Sequence, residues 1–381
     1  MENIDLCNSF ELKRGDYESF AQTVSNLISR LLGADGVAMH SVSHRCKTLN
    51  SFKVKVEKKN CYEALEQITD LAGIRLITHY EDDVDKVAKI IESEFLVDLE
   101  NSIDKRQSLD PDRFGYLSLH YVVSLKSERT ELKEYRSFAG LKAEIQVRSI
   151  LQHTWAEIEH DTGYKSSVEV PRHIRRRFSR LAGLLELADQ EFIGIRTALD
   201  EYSLIVAEKI STQPVESPEV ADVLLDKVSL EKFILLDPLV SEIDQEICQI
   251  LGARCGADLP HALQDVFRLK LVGIDSLQEL NFALKKNRHI IIARARQVAT
   301  LNGAHKIQDT DNLELRCAIS ILYLLQVLAA KSGDSGAVRD KLHAMGFKGG
   351  IGLALSLKAL VDSTTVSLAS QVSAEEGKLG Q

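Results

Sequence analysis

Three polar side chains that could bind a charged ligand alternate with apolar ones near the middle of the chain. Glu144, Gln146 and Arg148 occupy every second position of a run whose other members are apolar, which is the period of a half-buried strand. The pleat of a strand places such a set on one face. From Ser149, a suitable N-cap, the apolar spacing changes to that of a helix. A carboxylate, an amide and a guanidinium in a row suit the floor of a charged-ligand site better than a core.

A second carboxylate, Asp70, lies in a predicted turn, and the strand that follows it carries Arg75. Six cations and the single acid Glu57 occupy residues 45–59; the cations are Arg45, Lys47, Lys53, Lys55, Lys58 and Lys59. The run follows an extended segment and opens a predicted helix at Ser51. A helix N-terminus and cations together favour the binding of phosphate. The alternatives are a solvated face for the basic run and a turn-forming role for Asp70.

A third group of polar residues follows a glycine turn. Tyr116, Ser118 and His120 alternate with apolar or aromatic neighbours, so one strand face carries a phenol, a hydroxyl and an imidazole. An aromatic ring beside a glycine turn can stack on a base. A half-exposed tyrosine in a strand is the commoner structural role, and both interpretations stay open.

Most phosphate-handling and hydrolytic motifs are missing from the sequence. It contains no GxxxxGK[ST] loop, no HExxH or GxSxG motif and no kinase motif set. Two carboxylates at strand edges remain, Asp70 and Glu144, with cations on both sides. Such a pair suits Mg2+, which keeps waters and substrate phosphates among its ligands, while cations neutralise the remaining phosphate charge. These groups predict phosphoryl or nucleotidyl transfer.

The composition narrows the class of protein. A chain of 381 residues can form two or three domains, and its net charge of −9 argues against a general polyanion binder. Six cysteines without a CxxC pair or zinc-like spacing predict reduced thiols in a cytoplasmic protein. The N-terminus has no export-signal pattern. The longest apolar run, 317–330, is shorter than the ~18 residues of a membrane span. We therefore expect a buried helix there, in a soluble protein without membrane contact.

The patterning divides the chain into five segments. They are a helical lead-in over 1–40, a mixed α/β domain over 41–210, a proline-containing linker over 211–220, a helical domain over 221–362 and a disordered tail over 363–381. Five arginines cluster at the start of a long predicted helix in the second segment: Arg172, Arg175, Arg176, Arg177 and Arg180. The cluster is either a solvated face or a contact for polyphosphate or RNA.

Four motifs in order resemble the synthetase domain of the RelA/SpoT family, the alarmone synthetases. They are HRCKTLNSF (44–52) with the lysine at 55, DLAGIRL (70–76), FGYLSLH (114–120) and AEIQVR through WAEIEHDTGYK (143–165). The resemblance covers roughly residues 40–200. It implies an α/β (α+β) fold, a nucleotidyltransferase-like mixed sheet flanked by helices. The patterning beyond it predicts an all-α C-terminal domain.

The resemblance also implies an activity: transfer of pyrophosphate from ATP to the 3′-hydroxyl of GDP or GTP, with release of AMP. It implies that Asp70 and Glu144 hold Mg2+ and that Glu144 also accepts the 3′-hydroxyl proton. The implied ATP contacts are Arg45 and Arg75 on the adenine and Lys47 and Lys55 on the phosphates. The implied contacts of the acceptor nucleotide are Tyr116, Ser118, His120, Gln146 and Arg148.

Two departures from the family pattern leave alternatives open. Phe114 replaces the usual asparagine before the Gly–Tyr pair, which weakens the expectation of guanine specificity. The one His–Asp pair, His160–Asp161, lies inside a synthetase motif, so we expect no alarmone hydrolase. The second hypothesis is a toxin-like enzyme that modifies the 3′ end of tRNA, with the C-terminal region as restraint or sensor. The third is a nucleotide sensor without catalysis. A homo-oligomer stays open as well.

Overall fold

The computed structural model describes residues 3–59, 61–104, 118–161, 171–212, 217, 220, 223–256, 259, 261–304 and 314–379. The chain divides into a first unit, Met1–Thr197, and a second unit, Ala198–Gln381. This boundary falls before the predicted linker. Residues 213–216, 218 and 219 of that linker lie outside the described residues.

The first unit combines helices with a mixed sheet. Its helices are α1 (Asn3–Ala34), α2 (Leu49–Lys59), α3 (Asp82–Glu94), α4 (Ser127–Thr130) and α5 (Ile150–Asp161). Its strands are β1 (Met39–Cys46), β2 (Ala72–Thr78), β3 (Phe95–Val97), β4 (Ile103–Asp104), β5 (Leu119–Leu125) and β6 (Ala143–Ser149). A long helix, α6 (Arg172–Thr212), begins in this unit and continues past its boundary.

The strands form one sheet in the order β1-β2-β6-β5-β3, and β4 also pairs with β5. The central pair, β2 and β6, is parallel, whereas the other pairs are antiparallel. This mixed sheet with flanking helices confirms the predicted fold class of the first unit. Strand β6, which follows the other described strands of this sheet in the sequence, lies in its middle, between β2 and β5.

One face of the sheet is covered by helices. Ile74 of β2 and Ile145 of β6 belong to a buried cluster with Phe20 and Ile28 of α1 and with Ile91 of α3. Because side chains alternate along a strand, the polar residues between the buried ones lie on the other face. Helix α1 is thus part of the core of the first unit, and the predicted lead-in packs with the domain that follows it.

The ring of Phe52 anchors α2 to α1. It is fully buried and stacks on Phe10, with ring centroids 4.5 Å apart. We expect Phe52→Ala to lower the free energy of unfolding of the first unit by about 3–5 kcal/mol, since it leaves a cavity as well as losing apolar burial. Urea unfolding followed by the fluorescence of Trp155, the only tryptophan, would measure this. The exposed neighbour Lys53→Ala is the control, and equal effects of both changes would contradict the packing role.

The second unit is mostly helical. It contains the end of α6 and the helices α7 (Lys227–Leu236), α8 (Pro238–Leu251), α9 (Ala262–Leu271), α10 (Leu277–Ala304), α11 (Ile319–Ala330), α12 (Ser335–Ala344) and α13 (Gly350–Leu379). Helix α11 is buried along most of its length, which confirms the buried helix predicted from the apolar run at 317–330. Leu324 and Leu325 of α11 lie in a core shared with Leu280 and Leu284 of α10.

Three features of the second unit correct the sequence predictions. A short parallel pair of strands, β7 (Arg254–Cys255) and β8 (Glu314–Leu315), interrupts the all-α pattern. Cys248 and Cys255 form a disulfide, with Cα atoms 6.2 Å apart, where reduced thiols were expected. Helix α13 continues to Leu379, through most of the predicted disordered tail, because the small and apolar residues after Ser363 sustain a helix and include no proline.

Among the described residues, no helix has both the length and the apolar character needed to span a bilayer.

Candidate active site

The register of three strands aligns residues from separate motifs. Arg45 of β1 pairs with Gly73 of β2, and Gly73 pairs with Glu144 of β6. Residues paired across neighbouring strands point to the same face of a sheet. Arg45 and Glu144 therefore lie on the face opposite the helical core, on either side of a glycine that leaves space between them.

The polar row predicted on β6 exists and is joined by hydrogen bonds. Gln146 Nε2 donates to Glu144 Oε2 (3.1 Å), and Arg148 Nη2 donates to Gln146 Oε1 (2.9 Å). Gln146 pairs in register with Arg75 on β2 and with His120 on β5. His120 Nδ1 lies 3.3 Å from Glu144 Oε1. Each member of the row thus holds the next one, which orients the Glu144 carboxylate.

The second carboxylate is held by two lysines. Asp70 lies in the turn before β2, and its oxygens contact Lys47 Nζ at 2.6 Å and Lys55 Nζ at 2.8 Å. The backbone N–H of Lys47 donates to the carbonyl of Leu71 (2.9 Å), which fixes the segment before α2 beside this turn. Helix α2 starts at Leu49, two residues before the predicted start. The basic run therefore contributes at least two cations to this site.

Both carboxylates have lowered pKa values. Burial acts to raise the pKa of Asp70, but the hydrogen bonds and charges of Lys47 and Lys55 outweigh it. At Glu144 burial again acts to raise the pKa, and it is outweighed by the hydrogen bond and charge of His120 and by the hydrogen bond from Gln146. The charge of Asp70 opposes this lowering at Glu144. Two carboxylates that interact and stay ionised at neutral pH are suited to bind a cation together.

The two carboxylates open onto one cleft of about 170 Å³. Five residues predicted for the site line it: Arg45, Asp70, Arg75, Glu144 and Gln146. A cleft with cations on one wall and carboxylates on the floor can bind a polyphosphate and a cation at the same time.

The family comparison matches this part of the chain. Residues 44–169 match the family described as "Region found in RelA / SpoT proteins", and this range contains Asp70 and Glu144. The chain carries a RelA/SpoT region.

Two curated relatives resemble the RelA/SpoT region, both from Bacillus subtilis strain 168. GTP pyrophosphokinase YwaC is 29% identical over 160 residues, which are 41% of this chain and 73% of the relative. GTP pyrophosphokinase YjbM is 27% identical over 175 residues, which are 44% of this chain and 77% of the relative.

Solved structures that resemble the chain include small alarmone synthetase 1 from Bacillus subtilis, at 23% identity and a TM-score of 0.43, over 51% of this chain and 99% of that one. A GTP pyrophosphokinase family protein from Streptococcus pneumoniae has 24% identity and a TM-score of 0.43, over 51% of this chain and 96% of that one.

The structure describes only some of the site residues predicted in the RelA/SpoT region. Tyr116 and Phe114 lie outside the described residues. Ser118 is buried just before β5, with its hydroxyl unpaired among the described residues. At the start of α6, Arg176, Arg177 and Arg180 are exposed, whereas the side chains of Arg172 and Arg175 are not described.

Sequence reasoning missed Glu157 of α5. Its Oε1 lies 3.1 Å from Arg75 Nη1 and 3.8 Å from His153 Nδ1. The signal was present, because Glu157 follows His153 by one helical turn and falls inside the last RelA/SpoT motif. The sequence alone does not show that α5 lies beside β2, so nothing linked Glu157 to Arg75.

Burial and then the nearby Arg75 charge lower the pKa of Arg148 to about 10, so Arg148 remains a cation at neutral pH.

The donors in the RelA/SpoT region fit Mg2+. Asp70 and Glu144 provide a pair of carboxylates that line one cleft. The described residues contain no group of three or more His, Cys, Asp or Glu side chains able to hold a metal. The two ammonium groups on Asp70 occupy positions that a cation would take. Mg2+ accepts one or two protein carboxylates and completes its shell with water and phosphate oxygens.

Gly73 sets the position of Arg45. A Cβ placed on Gly73 would lie 3.4 Å from Arg45 Cγ and 3.5 Å from its Nε. We expect Gly73→Val to displace the Arg45 side chain and to raise the KM for ATP by roughly tenfold, equivalent to about 1.4 kcal/mol. Steady-state kinetics at saturating acceptor would measure it. Gly73→Ala, whose methyl group fits at ordinary contact distance, is the matched control, and an unchanged KM in the valine variant would contradict the ATP contact expected of Arg45.

Proposed function

We propose that the chain is a Mg2+-dependent pyrophosphotransferase that moves the β,γ-pyrophosphoryl group of ATP to the 3′-hydroxyl of GDP or GTP. The products are AMP and the guanosine tetra- or pentaphosphate. The observation that carries this proposal is the meeting of Asp70 and Glu144 in one cation-lined cleft inside the RelA/SpoT region. The GTP pyrophosphokinase names of both curated relatives support the same reaction.

The nucleotide donor would bind along β1 and β2. Arg45 and Arg75 would contact the adenine, since a guanidinium plane stacks well on an aromatic base. Lys47 and Lys55 would contact the phosphates as compact charges. Both lysines already lie beside the carboxylate end of the cleft, so a short side-chain movement would bring them from Asp70 to a triphosphate.

The acceptor would bind on the side of β5 and β6. Glu144 would accept the proton of the 3′-hydroxyl as that oxygen attacks the β-phosphorus and the bond to AMP breaks. His120 and Gln146 hold the Glu144 carboxylate in one orientation, which a general base requires. Arg148 would supply positive charge to the acceptor phosphates. The stacking role expected of Tyr116 stays a prediction, because Tyr116 lies outside the described residues.

Asp70 and Glu144 would hold the metal ion. When bound, Mg2+ would neutralise charge on the transferring phosphates. The protein's part is to keep both carboxylates ionised, and their lowered pKa values support this.

A tRNA acceptor is the second candidate. The exposed Arg176, Arg177 and Arg180 favour it, because clustered arginines bind a phosphate backbone. Binding of tRNA through these cations should weaken steeply as salt concentration rises.

Product analysis tests the proposal. Purified chain would be incubated with Mg2+ and ATP labelled in its terminal phosphate, in separate reactions with GDP, GTP and deacylated tRNA. Label in a guanosine tetra- or pentaphosphate, with AMP released, is the expected result. Label on tRNA alone would replace the primary proposal with the second candidate. Label transferred in none of the reactions would reject both.

A further inference from the structure

Glu157 of α5 holds the guanidinium of Arg75 by its edge. The distance from Glu157 Oε1 to Arg75 Nη1 is 3.1 Å, and Arg75 lines the cleft that contains the two carboxylates. The N–H groups of a guanidinium lie in its plane, so a carboxylate bound at the edge leaves the faces of that plane free. Arg75 can therefore be held by Glu157 and stack on an aromatic base at the same time.

Three guanidinium groups lie near one another at this part of the cleft. Arg45 and Arg75 line it, and the charges of both act to lower the pKa of Arg148. Like charges at short distance repel one another, and a long arginine side chain that is not held can turn toward solvent. The charge of Glu157 acts in the opposite direction on the pKa of Arg148. This carboxylate therefore offsets part of the repulsion among the three cations.

The neighbouring imidazole does not compete with Arg75 for Glu157. His153 precedes Glu157 by one helical turn, and its Nδ1 lies 3.8 Å from the same carboxylate oxygen. Burial, and then the charge of Arg75, lower the pKa of His153 below its ordinary value of 6.5. The imidazole is therefore mostly neutral at pH 7, and the negative charge of Glu157 remains available to Arg75.

The start of α5 is fixed, which keeps Glu157 beside β2. The backbone N–H of Gln152 donates to Ser149 Oγ (3.2 Å), and Gln152 Nε2 donates to Glu81 Oε1 (3.2 Å). Trp155 is buried in the next turn of the helix. The Glu157 side chain, in contrast, is 53% exposed, so replacing it should leave the packing of α5 intact.

We propose that Glu157 is a positioning residue of the donor site, which holds Arg75 ready to stack on the adenine before ATP binds. This inference rests on the proposed function, because that function places the adenine on Arg45 and Arg75. A side chain that is ordered before binding loses less freedom on binding, so more of its interaction energy appears as affinity. Glu157 acts through Arg75 and away from the transferred group, so its removal should weaken ATP binding without slowing the transfer step.

Titration calorimetry with Mg2+ and α,β-methylene ATP tests the effect on binding, since this analogue cannot be cleaved between its α- and β-phosphorus atoms. We expect Glu157→Gln to raise the Kd of the analogue about tenfold. Steady-state kinetics should show a similar rise in the KM for ATP, with kcat and the KM of the acceptor within about twofold. Glu128→Gln, an exposed glutamate of α4 that does not line the cleft, is the matched control and should leave the Kd unchanged.

A double-mutant cycle tests whether Glu157 acts through Arg75. Arg75→Lys keeps the charge but removes the planar group that Glu157 orients. In the Arg75→Lys background, Glu157→Gln should change the Kd of the analogue less than about twofold, because the two residues contribute one interaction. A tenfold effect in both backgrounds would show that Glu157 acts without Arg75 and would overturn the positioning role.

The outcomes separate this inference from the proposed function. A chain that binds the analogue but transfers no pyrophosphate would reject the proposed function, and the Kd values would still decide the role of Glu157. An unaltered Kd in the Glu157→Gln variant, or a fall in kcat at an unaltered Kd, would overturn the positioning role. A chain that does not bind the analogue would overturn both. Trp155 fluorescence would verify that each variant is folded.

Discussion

Replacing Glu144 by glutamine is expected to lower kcat for pyrophosphate transfer by about 10²–10⁴-fold, the usual contribution of a positioned general base. Glutamine keeps the size of the side chain, but it cannot accept the 3′-hydroxyl proton and it removes one of the two negative charges of the cleft. The hydrogen-bonded row of Gln146 and Arg148 holds the residue in place, so the fold should be retained. Steady-state rates with ATP and GDP or GTP would measure the effect.

Glu92→Gln is the matched control for this change. Glu92 lies on α3, which packs on the opposite face of the sheet, and accepts a hydrogen bond from the Tyr121 hydroxyl. Its replacement should leave kcat within about twofold, as expected of a change away from the cleft. Equal rates for the Glu144→Gln variant and the unchanged chain would show that Glu144 is not the base.

The second large effect is expected for Asp70→Asn. The variant should have a kcat/KM at least about 100-fold lower, which is the loss of rate expected when reacting groups are displaced. The substitution removes the carboxylate that holds Lys47 and Lys55, and it removes one of the two oxygen ligands proposed for Mg2+. The decisive measurement is Mn2+ binding followed by magnetic resonance in the presence of ATP. An unaltered Mn2+ affinity would show that Asp70 does not bind the metal, whatever the activity of the variant.

The same variant changes the dependence of stability on pH. The pKa of Asp70 in the folded chain lies below its ordinary value of 3.8, so its ion pairs contribute stability above that value, and the contribution is lost as the pH falls through the folded pKa. Asp70→Asn should therefore flatten the acid side of the unfolding profile relative to the unchanged chain. Unfolding would be followed by Trp155 fluorescence at several pH values. A variant and an unchanged chain whose free energies of unfolding fall in parallel toward acid pH would contradict this.

The sequence predicted much of the first unit because local patterns determine it. Alternation along β6 placed Glu144, Gln146 and Arg148 on one face, and they form that row in the structure. Apolar residues recur at helical spacing in α3, Asp82–Glu94, and Val84, Val87 and Ile91 are among those it buries. Ser149 accepts a hydrogen bond from the backbone N–H of Gln152, as expected of an N-cap.

The contacts between distant segments could not be predicted in this way. Nothing in the sequence indicated that Lys47 and Lys55 share one carboxylate, or that Glu157 reaches Arg75, because both depend on the register between separate strands and helices. The Cys248–Cys255 disulfide was missed because cysteine spacing alone does not reveal which side chains meet. The family resemblance supplied roles for the residues, whereas their geometry came only from the fold.

The position of β6 in the sheet has a consequence for the synthesis of the chain on the ribosome. Asp70 and Glu144 lie 74 positions apart, and β6 is inserted between two strands made before it. Until residue 149 has been synthesised, β2 and β5 each present an unpaired edge, a state prone to association with other chains. The same strand closes these edges and delivers the second carboxylate, so a nascent chain gains its sheet and both carboxylates of its cleft in one step.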